Sequence, residues 1–506
     1  MNKKNMTMNY RLFIASALSA GALALSSCGD DKPGPLPPAP ETPETPTSGD
    51  VRVITTTSNR SQDLKESWID FSTRDNMSPS TIKLMPSEEF QTMDGFGVAV
   101  TGSTCYNLLK MKPEDRKEFL ETTFSPEKGF GFSYVRISIG CSDFSLSEYT
   151  CCDKEGIENF ALTSEETQYV IPILKEILAV NPNLKIMGTP WTAPRWMKLF
   201  HDWENKNTAE SRWKGGYLNP RYYADYGEYF AKWIKAMADN GIKIYSVTPQ
   251  NEPLNRGNSA SMYMGWEEER DFVKNGLGPA LKKAGLDTKI YAFDHNYNYD
   301  NIDSQKGYPT KIYEDADAKQ YLAGAAYHNY GGDKDELKVV HNAAPGMDLV
   351  FTETSIGTWN DGRNLATRLI DDMEQVALGT VNRWCKGVIV WNLMLDEDLG
   401  PNRPGGCQTC YGAVDISRDY TTLTRNSHYY IIAHMSSVVK PDAVRIGTTG
   451  FSTNGLTYSA FKNPDNSYAV VMSNAKSEEI KVTLDDGTHH FPVTVPARSA
   501  VSLSWK

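Results

Sequence analysis

Two glutamates carry the most chemistry in this sequence. Glu252 stands in Pro249-Gln250-Asn251-Glu252-Pro253 and Glu353 in Phe351-Thr352-Glu353-Thr354, each at the end of a short apolar run. Two carboxyl groups brought to one site can cleave a glycoside. One protonates the departing oxygen, the other attacks the anomeric carbon, and water then releases the sugar. The acid must keep its proton near neutral pH, so its surroundings must raise its pKa. A second carboxylate beside it would do that. Once the second is glycosylated its charge is gone, and the first can act as base. Flat rings to stack on a sugar are plentiful, with 11 Trp and 26 Tyr, although most aromatic rings of a chain this size belong to its core.

The elements that must hold these residues follow from periodicity. Apolar runs at 95–100, 132–139, 184–190, 245–250, 288–294, 322–328, 348–353 and 387–393 alternate with amphipathic stretches such as 165–180, 220–240, 266–284 and 363–383. Near-continuous apolar runs suit parallel strands buried on both faces. Tyr222, Tyr226, Tyr229, Phe230 and Trp233 recur at helical spacing and are expected in the core. Eight strand–helix units predict a closed (β/α)8 TIM barrel over 91–438. A doubly wound nucleotide binder needs a glycine-rich loop after its first strand, and Gly95-Phe96-Gly97 lies within the strand instead. Barrels of this kind present reactive side chains at the C-terminal strand ends. That places Glu252 and Asn251 at strand four, Glu353 at strand seven, and His328 at strand six. Asp294 and His295 fall at strand five, Trp191 near strand three, Trp391 and Asn392 at strand eight, and Asp143 near strand two.

Outside the barrel the pattern changes. Alternating runs at 457–461, 468–473, 479–484 and 499–505 predict an antiparallel β-sandwich over 439–506, to which residues 50–90 add a strand or two. At the other extreme, Lys3, Lys4 and Arg11 precede an apolar run ending in Leu25-Ser26-Ser27-Cys28. This is the pattern of an export signal over 1–27, and its end resembles a bacterial lipobox, which implies a lipid on Cys28 as the only membrane contact. Gly29-Asp30-Asp31 suggests the cell surface side of an outer membrane, and the Pro-rich stretch to residue 49 reads as a tether. Of the other cysteines, Cys407 and Cys410 suit a local disulfide in an exported protein, and adjacent Cys151 and Cys152 are not expected to bond each other. A net charge of −11 excludes the basic face of a nucleic-acid binder. No ligand spacing calls for a metal or an organic cofactor. The acidic run 396–398 reads as a solvated loop, and His489-His490 as surface.

Several segments resemble glycoside hydrolase family 30, which includes glucosylceramidases and endo-β-1,6-glucanases. They are DGFGVAVTGS (94–103), VRISIGCSDFS (135–145), TPWTAPRWMK (189–198), VTPQNEP (247–253), AYHNY (326–330), FTETSIG (351–357) and WNLMLDEDLGPN (391–402). The resemblance implies Glu252 as acid/base and Glu353 as nucleophile. It implies that Asp143, Trp191, Asn251, Trp391 and Asn392 line the glucose subsite, with Asn251 on the sugar 2-OH. His328 and Tyr330 would flank the nucleophile, and Arg136 would keep Glu353 ionised. The expected partner is a β-glucan, cut by a retaining endo-β-1,6-glucanase. A glucosylceramidase is the alternative, and xylan a weaker one. Thr101-Gly102-Ser103 lacks the Asp that mammalian glucosylceramidases place after the Thr. A non-catalytic surface glycan binder would require the loss of a glutamate. Loops 199–219 and 254–265 are expected to wall the site, with Trp203 and Trp213 as platforms for the leaving group.

Overall fold

The computed structural model describes residues 48–73, 78–201, 212–297 and 302–506. The signal, Cys28, most of the tether and Trp203 lie outside the described residues. Eight parallel strands close a barrel. In chain order they are Gly95–Ala99, Tyr134–Ser138, Lys185–Thr189, Ser246–Val247, Lys289–Asn296, Gly324–His328, Asp348–Glu353 and Cys385–Val390. The eighth pairs with the first, Val388 opposite Phe96.

The period of two explains why both faces are apolar. Tyr134, Met187, Tyr291, Ala326, Val350 and Ile389 fill the bore, while their neighbours Val135, Ile186, Ala325, Leu349 and Val388 pack outward on the helices. Arg136, two residues beyond Tyr134, therefore points into the bore one layer higher. Strand four is shorter than its apolar run. Its ladder stops at Val247, since Pro249 has no N–H to continue it, and the Thr248 and Gln250 side chains bond Asp294 and the Trp191 carbonyl. The helical stretches appear as predicted, with Tyr226, Tyr229, Phe230 and Trp233 fully buried. Three helices pass through a π turn, Glu166–Val170, Val273–Leu277 and Met373–Ala377, the first two just ahead of Pro172 and Pro279. The wider turn accommodates a residue without an N–H.

Nine strands form the second sheet, in the order Lys65–Ile69, Val51–Thr57, Ser499–Trp505, Tyr468–Asn474, Leu456–Lys462, Val444–Gly450, Thr81–Thr92, Ile480–Asp485, His490–Val495. The pairing is antiparallel except for Thr81–Thr92 with Ile480–Asp485, which run parallel. The sheet folds over a core of its own. Phe491 on the edge strand meets Trp505 edge-on at 5.0 Å, and Val470, Met472, Val501 and Leu503 share that core. His489 is not a free surface residue, since its ring stacks on Phe71 at 4.1 Å. The opposite face of the sheet rests on helix Ser427–Ser436, where His434 bonds the Thr56 and Ser502 hydroxyls at 2.9 and 2.8 Å. Cys407 and Cys410 are joined, and Cys151 and Cys152 are free and buried. Among the described residues, no helix is long and apolar enough to cross a membrane.

Candidate active site

The upper end of the bore gathers the polar strand-end residues around one guanidinium. Arg136 is fully buried. It donates to Glu353 Oε2 at 2.6 Å, to Asn251 Oδ1 at 2.6 Å and to Asp294 Oδ2 at 2.8 Å. The Asn251 oxygen is thereby taken, which leaves its amide NH2 as the donor end of the side chain. Trp191 and Trp391 stand 5.0 and 5.5 Å from the guanidinium carbon, so the cation also fixes the two indoles. Tyr330 donates its hydroxyl to Glu353 Oε1 at 3.0 Å.

Glu252 is held from the other side. Asn255 and Asn258 donate to its Oε2 at 2.7 and 3.0 Å. His328 Nδ1 lies 3.5 Å from Oε1, while Nε2 is 3.0 Å from Asp294 Oδ1. One oxygen each of Glu252 and Glu353, and one ring nitrogen of His328, lie within 4.8 Å of one another. That triangle is the one group among the described residues spaced to admit a metal ion. The Arg136 guanidinium against Glu353 already supplies positive charge there. The backbone is strained where it aims these groups: φ is 44° at Glu252, 74° at Phe293 and 62° at Asp294, all left-handed for side chains that disfavour it.

The chain matches the glycosyl hydrolase family 30 TIM-barrel domain over residues 93–439 and the family 30 beta sandwich domain over 442–503. An endo-1,6-beta-D-glucanase of Neurospora crassa is 32% identical over 421 residues, covering 80% of this chain and 83% of that protein. The lysosomal acid glucosylceramidase of Mus musculus is 26% identical over 454 residues, covering 84% and 83%. A solved endo-beta1,6-glucanase is 65% identical with a TM-score of 0.87, covering 90% of this chain and 99% of that one. This chain belongs to glycosyl hydrolase family 30. It is a glycoside hydrolase.

In this family 30 enzyme two indoles stand side by side at the upper end of the bore. Trp191 and Trp391 pack at 5.0 Å with a 33° tilt, and beside them Asp143 Oδ1 and Asn392 Nδ2 are buried without a hydrogen-bond partner. Burial, with the Glu353 charge, pushes the Asp143 carboxyl up to about 8. An acid and an amide left unsatisfied here suit a ligand rich in hydroxyls.

The proton distribution differs from the expectation for an acid/base residue. Burial raises the Glu252 carboxyl, but the His328 hydrogen bond, the nearby histidine charges and the Asn255 amide outweigh it and bring it to about 2. Burial pushes His295 down to about 4. Burial lowers His328, yet the charges of Glu353 and Asp294 and the Asp294 hydrogen bond raise it to about 9. Glu353 is raised by burial against the pull of His328 and Arg136, with Glu252 and Asp294 adding to the rise. The surroundings thus favour the charged form of His328 and the ionised form of Glu252.

The predicted loop walls are partly corrected. The 254–265 segment does wall the site, through Asn255 and Asn258 at Glu252 and through Ser259, whose carbonyl accepts from Arg403 at 2.6 Å. Trp213 is no exposed platform: it is 6% exposed and covered by the Arg195 guanidinium at 4.4 Å. Asp294 is the acceptor at which Arg136, His328, Thr248 and Thr352 converge. The sequence marked it only as a strand end. Nothing in the sequence identified Asn255 and Asn258, which reach Glu252 because of a loop shape that no periodicity encodes.

Proposed function

We propose that this glycoside hydrolase is a retaining endo-β-1,6-glucanase, with Glu353 as nucleophile and Glu252 as acid/base. The observation that carries the retaining chemistry is the spacing of the two glutamates. Their nearest oxygens are no more than 4.8 Å apart, close to the roughly 5 Å of retaining pairs and well short of the 6.5–9.5 Å that an inverting water needs. Arg136 and Tyr330 orient the Glu353 carboxylate toward the anomeric carbon. Asn251 donates its amide N–H to the sugar 2-OH, and Asp143 with Trp191, Trp391 and Asn392 holds the rest of that ring.

The acid step begins with a proton shift. A bound sugar expels water, and a drier site favours a neutral His–Glu pair over an ion pair. The proton on His328 Nδ1 then passes to Glu252 Oε1 and on to the leaving oxygen as Glu353 bonds the anomeric carbon. In the second half Glu252 takes a proton from water, whose oxygen displaces Glu353.

The β-1,6 linkage is supported by the Neurospora crassa relative and by the 65% identical solved glucanase. The second reading, glucosylceramide hydrolysis, is favoured only by more distant relatives such as the mouse enzyme. Early products separate them. An oligosaccharide ladder from linear β-1,6-glucan supports the endo-glucanase. Glucose as the sole early product rejects endo action, and cleavage of glucosylceramide vesicles alone rejects the linkage.

The export signal and Cys28 support a lipid-anchored enzyme at the outer membrane, held off the surface by the Pro-rich tether so that it meets a polymer. Metabolic labelling with palmitate tests this: label expected on the full chain, and none on Cys28→Ala. Equal label on both contradicts it.

A further inference from the structure

The two amides that hold Glu252 come from the 254–265 segment, which forms no helix and no strand. A loop keeps a side chain in register only where its own backbone is tied to a rigid neighbour. Here the tie is Arg403, on the loop after strand eight, just past the 391–402 segment and 7% exposed. Its Nη2 donates to the Ser259 carbonyl at 2.6 Å and to the Ser142 carbonyl at 2.7 Å, and its Nη1 to Glu148 Oε1 at 3.1 Å. The Ser259 hydroxyl donates to the same Glu148 oxygen, and the Ser259 N–H to the Gly405 carbonyl at 3.4 Å. One guanidinium therefore joins the loops that follow strands two, four and eight.

Ser259 directly follows Asn258. With the Ser259 N–H, hydroxyl and carbonyl all engaged, the Asn258 amide is held where it meets Glu252. The far side of Ser259 is closed as well. Ala260 is fully buried in the apolar cluster of Trp191 and Trp391, and the Ser261 carbonyl accepts from the buried Lys198 ammonium at 2.9 Å. Two glycines let the strand-eight loop come this close. A Cβ on Gly405, at φ 88°, would stand 2.8 Å from the Ser259 Cβ, and one on Gly406 would lie 2.2 Å from the Asp143 carbonyl oxygen.

We propose that Arg403 is a positioning residue for the acid step, fixing Ser259 so that Asn258 holds Glu252 against the leaving oxygen. The inference rests on the reading of Glu252 as acid/base. Arg403 acts through the loop and not on the sugar, because both of its terminal nitrogens are committed to protein acceptors. Without the guanidinium, the carbonyls of Ser142 and Ser259 lose their shared donor and Glu148 its cation. The loop then relaxes, and the Asn258 amide leaves Glu252. A displacement of about 1 Å at a reacting group can cost about a hundredfold in rate. Lysine keeps the charge but not the planar fork that serves two carbonyls from one nitrogen.

The leaving group separates the acid step from the rest of the reaction. The full chain and its variants are assayed on linear β-1,6-glucan, whose O6 must be protonated to leave, and on 2,4-dinitrophenyl β-gentiobioside, whose phenolate leaves without a proton. The readout is kcat/KM, which ends at glycosylation of the enzyme. Arg403→Ala is expected to lose about a hundredfold on the glucan and no more than about threefold on the aryl glycoside, with Arg403→Lys losing less on the glucan. Asn258→Ala is expected to show the same selectivity, and the double variant no greater loss than Arg403→Ala alone, as two residues on one path require. Equal losses on both substrates make the arginine a purely structural tie and overturn the proposal. So do losses that multiply in the double variant, or glucan activity near the parent's. If Arg403→Ala does not fold, Arg403→Lys and Asn258→Ala carry the same comparison, and equal losses there overturn it too. Glu252→Gln separates the two levels. If it loses equally on both substrates, the acid/base reading fails; if it is selective while the Arg403 variants are not, only the positioning role fails.

Discussion

Arg136 sets the character of this site because one buried cation serves three acceptors and two indoles. Its guanidinium is matched by Asp294 and Glu353, and removing either partner would leave charge uncompensated in a closed space. The glutamates themselves are tested directly. Glu353→Gln and Glu252→Gln are each expected to lower kcat on β-1,6-glucan by about a thousandfold, with oligosaccharide affinity retained in titration calorimetry. Turnover near the parent's in either variant would remove that residue from its role. His328, held at about 9, gives a pH signature. The alkaline limb of kcat/KM is expected above pH 8 in the parent. It should move toward acid in His328→Gln, where Glu252 must keep the proton without a donor. Glu252 and Glu353 were legible in the sequence because parallel-strand runs end on them. The raised His328 was not, because it follows from the Glu353 and Asp294 carboxylates that the fold gathers around the ring, and the Asp294 contact depends on a bulge in strand five.

That bulge is an element-scale device. The register of strand five against strand six shifts between Phe293 and His295, and two consecutive residues take positive φ. The conformation is secured from outside by helix Trp266–Phe272. Glu269 accepts the Phe293 N–H at 2.8 Å and the Tyr308 hydroxyl at 2.8 Å, and burial pushes its carboxyl up to about 7. The Asp294 carbonyl in turn accepts from the Glu252 N–H at 3.0 Å, so the bulge aims strand four as well. Glu269→Ala leaves the buried Phe293 N–H unsatisfied, while the Tyr308 hydroxyl keeps the Met264 carbonyl at 2.9 Å, and is expected to cost about 1–3 kcal/mol, read by urea denaturation, with kcat falling in parallel. A variant as stable and active as the parent would mean that the bulge holds itself. The strand order and the helices were readable from periodicity. The parallel pair in the second sheet was not, since it joins strands about 400 residues apart in sequence.

At the scale of the whole molecule, buried titratable groups govern stability against pH. Asp143 is raised to about 8, Glu165 and Glu269 to about 7, and His328 to about 9, burial being the main cause for the three carboxyls and neighbouring acids for the histidine. A group whose folded pKa lies above its unfolded value stabilises at low pH and loses that contribution as pH rises through the folded pKa. His295 is lowered to about 4, and His428 and His434 to about 3, chiefly by burial. Their contribution is complete above 6.5 and is lost as pH falls below it. Between pH 6.5 and 9 the raised groups therefore lose stability while these three histidines have none left to gain. Tm by calorimetry is expected to fall steadily across that interval and to fall again under acid. A Tm rising from pH 6.5 to 9 would contradict these assignments.

The most direct test of the central claim is covalent trapping. The full chain would be incubated with 2-deoxy-2-fluoro-β-gentiobiosyl fluoride, whose fluorine at C2 slows release of the glycosyl-enzyme, and the adduct located by peptide mass mapping. Double displacement at Glu353 predicts one disaccharide ester on the peptide containing Thr352-Glu353-Thr354, absent from Glu353→Gln. An adduct on Glu252, or turnover of this fluoride with no adduct at all, would contradict it.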